Sequence, residues 1–262
     1  MKPTLSDILA STARRVALLR DRRPDLRQAA ERSPVPRSFT GAFAGDSVAV
    51  IAEVKRRSPS AGEIRADLDP VTHARAYQAG GAAAISVLTD REYFGGSLAD
   101  LEAVARAVGL PALRKDFILD ELQLFEARAA GASAVLLIAR ALKPRRLAEL
   151  ARTAREIELG TLVEVHDERE LDVALAAKPT AVGVNSRDLT DFTVDLGVAE
   201  RLLGMVPSGV PAVAESGIET RSDVERMAGA GAAAVLVGTS VAGAPDPKAA
   251  VAALAGVARA AR

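Results

Sequence analysis

Eight short apolar runs, each followed by polar residues and a stretch of helical periodicity, constrain this chain more than any other feature. They are 48-VAVIAEVK, 82-AAAISVLT, 111-PALRKD, 134-AVLLIA, 160-GTLVEV, 180-TAVGVN, 211-PAVAES and 233-AAVLVG. Their starts lie roughly 20 to 35 residues apart, the length of one strand plus a crossover helix, which is the pattern of parallel βαβ units. Three runs are introduced by nearly the same segment, AGGAAAISVL, AAGASAVLLI and AGAGAAAVLVG, in which Gly ends a helix before the next strand begins. A chain of 262 residues has room for eight such units around one core. The expected fold is therefore α/β, a single (β/α)8 TIM barrel. An open doubly wound sheet that binds a dinucleotide would carry G-x-G-x-x-G after its first strand, where this chain has KRRSPSAGEIR.

The barrel is expected over residues 48–262, preceded by an N-terminal helical extension over 1–47. Within that extension 5-LSDILASTARRVALLRDRR has amphipathic spacing, and a linker containing Pro and Ser follows around Ser33 to Ser38. The Leu and Ile spacing predicts a helix packed on the barrel, with a free partner-binding helix as the alternative. Later, 97-SLADLEAVARAV has apolar residues three and four apart, and 167-DERELDVALAA opens with an Asp-x-x-Glu capping pattern.

Composition narrows the partners. Basic and acidic residues balance at 34 each, so no net field favours nucleic acid or an anionic membrane, and an anion must be bound locally. Aromatic residues make up 3% and Trp is absent, which leaves no stacking surface for single-stranded nucleic acid and an interior of Ala, Val, Leu and Ile. The lack of Cys excludes disulfides, thiolate nucleophiles and Cys-ligated metals. With no apolar leader and no run long enough to span a bilayer, a cytoplasmic protein is expected.

In a barrel the C-terminal strand ends surround the active site, and residues two apart on a strand face the same way. The first strand ends in Glu53 and Lys55, the third in Lys115 and Asp116, the fifth in Glu164, the sixth in Asn185, and the seventh in Glu215 and Ser216. Any one of these could be merely solvated, but five strands converge on one mouth. Only six of the 34 basic residues are Lys, yet Lys55 and Lys115 both stand at strand ends. A lysine, unlike an arginine, can be tuned by desolvation or like charge to act as acid or base. After strands seven and eight come 215-ESGIET and 237-VGTSV, where barrels bind phosphate through backbone amides and a helix N-terminus. Gly217 and Gly238 would let the backbone approach the anion, and Ser216 and Thr239 would add hydroxyls. His73 and His166 have no second ligand at metal spacing and are read as solvent-exposed or structural.

At these residues the sequence resembles indole-3-glycerol phosphate synthase. The segments that carry the resemblance are 52-AEVKRRSPSAG, 88-LTDREYFGGSL, 111-PALRKDFILD, 162-LVEVHDEREL, 182-VGVNSRDLTDF and 213-VAESGI, which run in the family's order over nearly the whole chain. The resemblance implies a barrel lyase of tryptophan biosynthesis that closes the ring of 1-(2-carboxyphenylamino)-1-deoxyribulose 5-phosphate with loss of carbon dioxide and water, using no cofactor and no metal. It implies Lys115 as the acid on the ribulose carbonyl oxygen, Lys55 near the substrate carboxylate and in later proton transfer, and Glu164 as the principal acid/base. Glu53 would position Lys55 or serve the dehydration, while Asn185 and Glu215 would orient the hydroxylated chain and the ammonium groups. Ser58, Arg187 and Ser216 correspond to anion and substrate contacts, Gly217, Gly238 and Thr239 to the phosphate cradle, and Pro59, Phe94, Phe117 and Leu189 to the wall around the anthranilate ring. The partner it implies is a small phosphorylated molecule, and association with other tryptophan-pathway enzymes is compatible with it.

This sequence departs from the family's pattern at Ser186, at Ala214 and in 238-GTSVAGAPDP. The alternatives are another phosphate barrel, such as a relative of phosphoribosylanthranilate isomerase or a Schiff-base aldolase using Lys115, and a catalytically silent barrel that serves as an interaction partner.

Overall fold

Each of the eight apolar runs contains a strand. The computed structural model describes residues 3–188 and 192–260, and in it β1 (Ala49–Val54), β2 (Ala84–Leu88), β3 (Ala112–Lys115), β4 (Ala134–Ile138), β5 (Gly160–Val165), β6 (Ala181–Asn185), β7 (Ala212–Glu215) and β8 (Ala234–Val237) pair in chain order. Every pairing is parallel, and β8 returns to β1 through Ala49↔Ala234 and Ala52↔Val237, so the sheet closes. The strands are followed by α3 (Pro70–Ala79), α4 (Leu98–Ala107), α5 (Glu121–Ala129), α6 (Pro144–Glu156), α7 (Glu168–Ala176), α8 (Leu196–Met205), α9 (Arg221–Gly229) and α10 (Pro247–Leu254), of which all but the last cross over to the next strand. In the repeated segments Gly81, Gly131 and Gly231 take φ of 94°, 83° and 95°, a left-handed turn between helix and strand that a Cβ would oppose.

Strand alternation divides the core in two. Val50, Ala52, Val54, Val135, Leu137, Val163 and Val184 face the helices in one large cluster. Ala49, Ile51, Leu113, Leu136, Leu162, Val213 and Leu236 fill the barrel interior in another. Small residues at the strand starts leave a space there, and Phe39 and Phe43 close it, with ring centroids 5.0 Å apart in an edge-to-face arrangement. The interior is packed from below by these apolar residues, and charged side chains enter it at the strands' C-terminal ends.

The N-terminal segment is more elaborate than one helix and a linker. Helix α1 (Leu5–Leu19) starts with a Thr4–Asp7 capping box, a turn at Arg20–Arg22 follows, and α2 (Arg23–Arg32) carries Pro24 in its first turn. Leu26 and Ala30 of α2 pack on Leu122 and Phe125 of α5, while α1 buries Ile8, Ser11, Thr12 and Val16. The extension therefore packs on the barrel, as its apolar spacing predicts. Among the described residues no helix is long and apolar enough to cross a membrane.

Candidate active site

Period two along each strand decides which side chains reach the mouth. Glu53 lies two residues beyond inward-facing Ile51, Lys115 two beyond Leu113, Glu164 two beyond Leu162, and Glu215 two beyond Val213. One cavity is lined by Glu53, Lys55, Ser58, Pro59, Phe94, Lys115, Phe117, Glu164, Asn185, Arg187, Glu215, Ser216, Gly217, Gly238 and Thr239. Every site residue expected from the sequence is thus brought together except Leu189, which lies outside the described residues.

The charges form two linked groups. Lys115 Nζ lies 3.2 Å from Glu164 Oε2 and 3.4 Å from Glu215 Oε2. Lys55 Nζ lies 3.1 Å from Glu53 Oε1, whose other oxygen accepts a 3.1 Å hydrogen bond from Ser86 Oγ. Two glycines make this crowding feasible. A Cβ on Gly183 would stand 2.1 Å from Glu215 Oε1, and one on Gly238 would stand 2.6 Å from both Glu53 Oε1 and Lys55 Nζ. Gly238 therefore backs the Glu53–Lys55 pair as well as bordering the cavity beside Thr239.

Burial and neighbours set the protonation states. Burial alone would push the Lys115 ammonium down, but Glu164, Glu215 and Glu53 outweigh it and hold the amine above its ordinary value. The sequence allowed a lysine tuned by desolvation or like charge; the structure surrounds it with opposite charge, which makes it a persistent cation and hence an acid or electrostatic stabiliser. Burial likewise favours protonation of both carboxylates. At Glu164 it is outweighed by Lys115, His166 and a hydrogen bond from Asn185, so that carboxyl stays below its usual range. At Glu215 burial prevails, with Glu164 and Glu53 adding to it against Lys115, and the carboxyl is pushed up to about 7. Two carboxylates on one ammonium are thus driven apart, the pattern that separates a base from an acid.

Around the charges, Phe94 and Phe117 form one wall, their centroids 6.2 Å apart. Ser58 sits in a small hairpin, Arg57–Ser58 paired with Gly62–Glu63, and its Oγ accepts from the Ala61 amide at 3.1 Å. Arg187 is half-buried and donates to the Phe192 carbonyl at 3.1 Å. Ser216 and Gly217 both take positive φ, 67° and 73°. Ser186, a departure from the family pattern, donates to the carbonyls of Glu215 and Ser216 at 2.9 and 2.8 Å and so fixes that turn. Ala214, another departure, faces the helices.

Sequence reasoning missed three parts of the site. Pro3, Leu5 and Ile8 of the N-terminal segment line the same cavity. Arg15 of α1 reaches Asp116 at 2.9 Å and Asp90 at 3.2 Å, next to Lys115. The histidines are buried, not solvent-exposed, and His166 Nε2 lies 3.5 Å from Glu164 Oε1. Its position two residues beyond Glu164 was the available signal.

The family described as indole-3-glycerol phosphate synthase matches residues 5–254. The chain is 49% identical over 238 residues to the indole-3-glycerol phosphate synthase of Chlorobium phaeovibrioides, covering 89% of this chain and 92% of that protein. It is 49% identical over 245 residues to that of Rhodopirellula baltica, covering 92% and 95%. Among solved structures, a thiamine phosphate pyrophosphorylase from Pyrococcus furiosus superposes with a TM-score of 0.61 at 18% identity, over 79% of this chain and 93% of that one, a likeness of fold alone. On these matches the chain belongs to the indole-3-glycerol phosphate synthase family.

Proposed function

We propose that the chain is an indole-3-glycerol phosphate synthase, converting 1-(2-carboxyphenylamino)-1-deoxyribulose 5-phosphate to indole-3-glycerol phosphate, carbon dioxide and water in tryptophan biosynthesis. Lys115, held as a cation by Glu164 and Glu215 at one end of an apolar-walled cavity, is the observation that carries this reading. When the aromatic carbon attacks the ribulose carbonyl, the electron pair moves to the carbonyl oxygen, and the ammonium supplies the proton there. Loss of carbon dioxide from the ring carbon that attacked then returns the electrons of the broken carbon–carbon bond to the ring. Departure of the new hydroxyl as water needs an acid at oxygen and a base for the ring proton. Glu164, ionised, is the base; Lys55, paired with Glu53, and Glu215 near neutrality are the acids within reach.

Family membership and cavity lining support the remaining roles. Phe94, Phe117 and Pro59 hold the anthranilate ring, with Leu189 as a further wall residue. Asn185 and Glu215 orient the hydroxylated chain, and Ser58 and Arg187 meet the anionic groups. Ser216, Gly217, Gly238 and Thr239 cradle the phosphate. A biosynthetic role of this kind supports a cytoplasmic location, and association with other enzymes of the pathway belongs to the same reading. A Schiff-base aldolase would need Lys115 neutral, so borohydride in the presence of substrate is expected to trap no adduct.

The test is indole fluorescence on incubating the purified chain with the carboxyphenylamino sugar phosphate. The Lys115→Ala variant should lose turnover by about 10²- to 10⁴-fold while its circular dichroism remains that of a barrel. Near-normal turnover in that folded variant would remove Lys115 from the mechanism.

A further inference from the structure

Behind Glu164, on the side away from Lys115, runs a line of charged groups that the proposed reaction leaves unused. His166 Nδ1 lies 3.0 Å from Glu170 Oε2, and the same oxygen accepts from the His166 backbone amide at 2.9 Å. Glu170 Oε1 accepts from Arg140 Nε at 2.6 Å. Arg140 is also 3.7 Å from Asp167 Oδ2 and feels Asp188. The charged groups that bear on the imidazole are Glu164 on β5, Glu170 at the start of α7 and Arg140 after β4, while Asp167, which caps α7, and Asp188 after β6 act on Arg140. His166 itself is 8% exposed, and its Nε2 is buried without a hydrogen-bond partner among the described residues.

The tautomer follows from the partners. Glu170 is held ionised against its burial by the His166 ring, Arg140 and the His166 amide, and a carboxylate only accepts, so Nδ1 carries a hydrogen. In the neutral imidazole Nε2 would then be a bare lone pair with a carboxylate oxygen 3.5 Å away. Two acceptors facing each other in a buried space repel, whereas one proton between them gives a charge-assisted contact. Lys115 on Oε2 favours the ionised form of Glu164, so the proton belongs on Nε2.

We propose that His166 is a positioning residue for the reaction, an imidazolium whose Nε2 edge stands beside Glu164 Oε1 and whose charge keeps that carboxylate ionised in place. This rests on the proposed synthase reading for its catalytic consequence, while the charge rests on the contacts of the ring with Glu170 and Glu164. The Glu164 carboxylate lies between two cations, Lys115 at Oε2 and the imidazolium near Oε1, which together hold it ionised until it takes up a substrate proton. Glu170, itself held by Arg140, supplies a fixed counter-charge that keeps the ring in place.

The charge can be read without turnover. The chain has two histidines, so in histidine-¹⁵N-labelled protein a His73→Gln variant assigns both rings by difference. The Nε2 proton of His166 should be lost at a pH above the ordinary histidine value of about 6.5. In Glu164→Gln that midpoint should fall by roughly one unit or more, since an opposite charge at this distance has been removed. Glu164→Asp, which withdraws the carboxylate by one methylene, should give a smaller fall and serves if the Gln variant does not fold. A midpoint left in place by both substitutions overturns the proposal. In kinetics His166→Gln keeps an amide donor near Nε2 but cannot titrate, so its kcat should lose the alkaline limb of the wild-type pH profile; His166→Ala should lower kcat across the range. An unchanged profile shape in His166→Gln overturns the catalytic role. If the imidazole midpoint moves but the sugar phosphate is not turned over, the charge assignment stands and the synthase reading falls.

Discussion

Glu215 offers a test in which stability and activity should move in opposite directions. It is buried at the top of β7 with one carboxylate oxygen on Lys115 and the other, Oε1, without a hydrogen-bond partner among the described residues. Burial pushes its carboxyl from 4.5 to about 7, with Glu164 and Glu53 adding to the shift and Lys115 opposing it. Below the unfolded value the group is protonated in both states and costs nothing. As pH rises, the unfolded chain ionises first while the folded chain keeps its proton, so stability falls until the folded group also ionises. A displacement of this size corresponds to roughly 3 kcal/mol, lost between about pH 4.5 and pH 7. Glu215→Gln preserves shape and removes the titration. Relative to the parent, the variant should therefore gain roughly 3 kcal/mol on going from about pH 4 to about pH 8, seen as a difference in melting temperature that widens by roughly 6 to 10 °C. Turnover should fall in the same variant, because the acid has gone. Melting curves of both proteins across that range decide the matter. If the gap between them does not change with pH, or if the variant loses ground on the alkaline side, then the attraction of Lys115 outweighs burial and the account of Glu215 is wrong.

Two further outcomes follow from close contacts. A Gly238→Ala methyl would meet Glu53 Oε1 and Lys55 Nζ at 2.6 Å, and since both are tips of side chains the barrel should survive while kcat drops on the order of 10- to 100-fold through misplacement; an unchanged kcat would detach the Glu53–Lys55 pair from the chemistry. Arg15→Ala should loosen α1, whose Leu5 and Ile8 line the cavity, raising KM more than it lowers kcat and speeding proteolysis within the first 32 residues, so unchanged cleavage would show that α1 is held by its apolar face alone.

The parts of this protein legible in its sequence are those governed by local periodicity. Eight apolar runs became eight strands because each is bounded by turn residues and followed by a helix, and alternation then dictated which polar residues face the mouth. Helix α2 was less legible, since RRPDLRQAAER contains few large apolar residues and owes its burial to Leu122 and Phe125, nearly a hundred positions away. The plug is similar: Phe39 and Phe43 gain their meaning from small residues on distant strands that leave room for them.

Charge state was the least legible property, because it is set across strands. Lys115 could have been read as an amine made neutral by burial; Glu164 and Glu215, on other strands, reverse that outcome. The start of α7 makes the same point about a local rule. Asp167 caps the helix as its pattern predicts, accepting from the Glu170 amide at 2.8 Å, but Glu170 does not complete the reciprocal box on the Asp167 amide. Its carboxylate moves one residue back to the His166 amide and ring while Arg140 holds its other oxygen. A side chain that elsewhere would only finish a helix end is thereby tied to the residue beside Glu164. The Asp-x-x-Glu pattern was sufficient to find the helix, and its incomplete use is what connects that helix to the active-site strand.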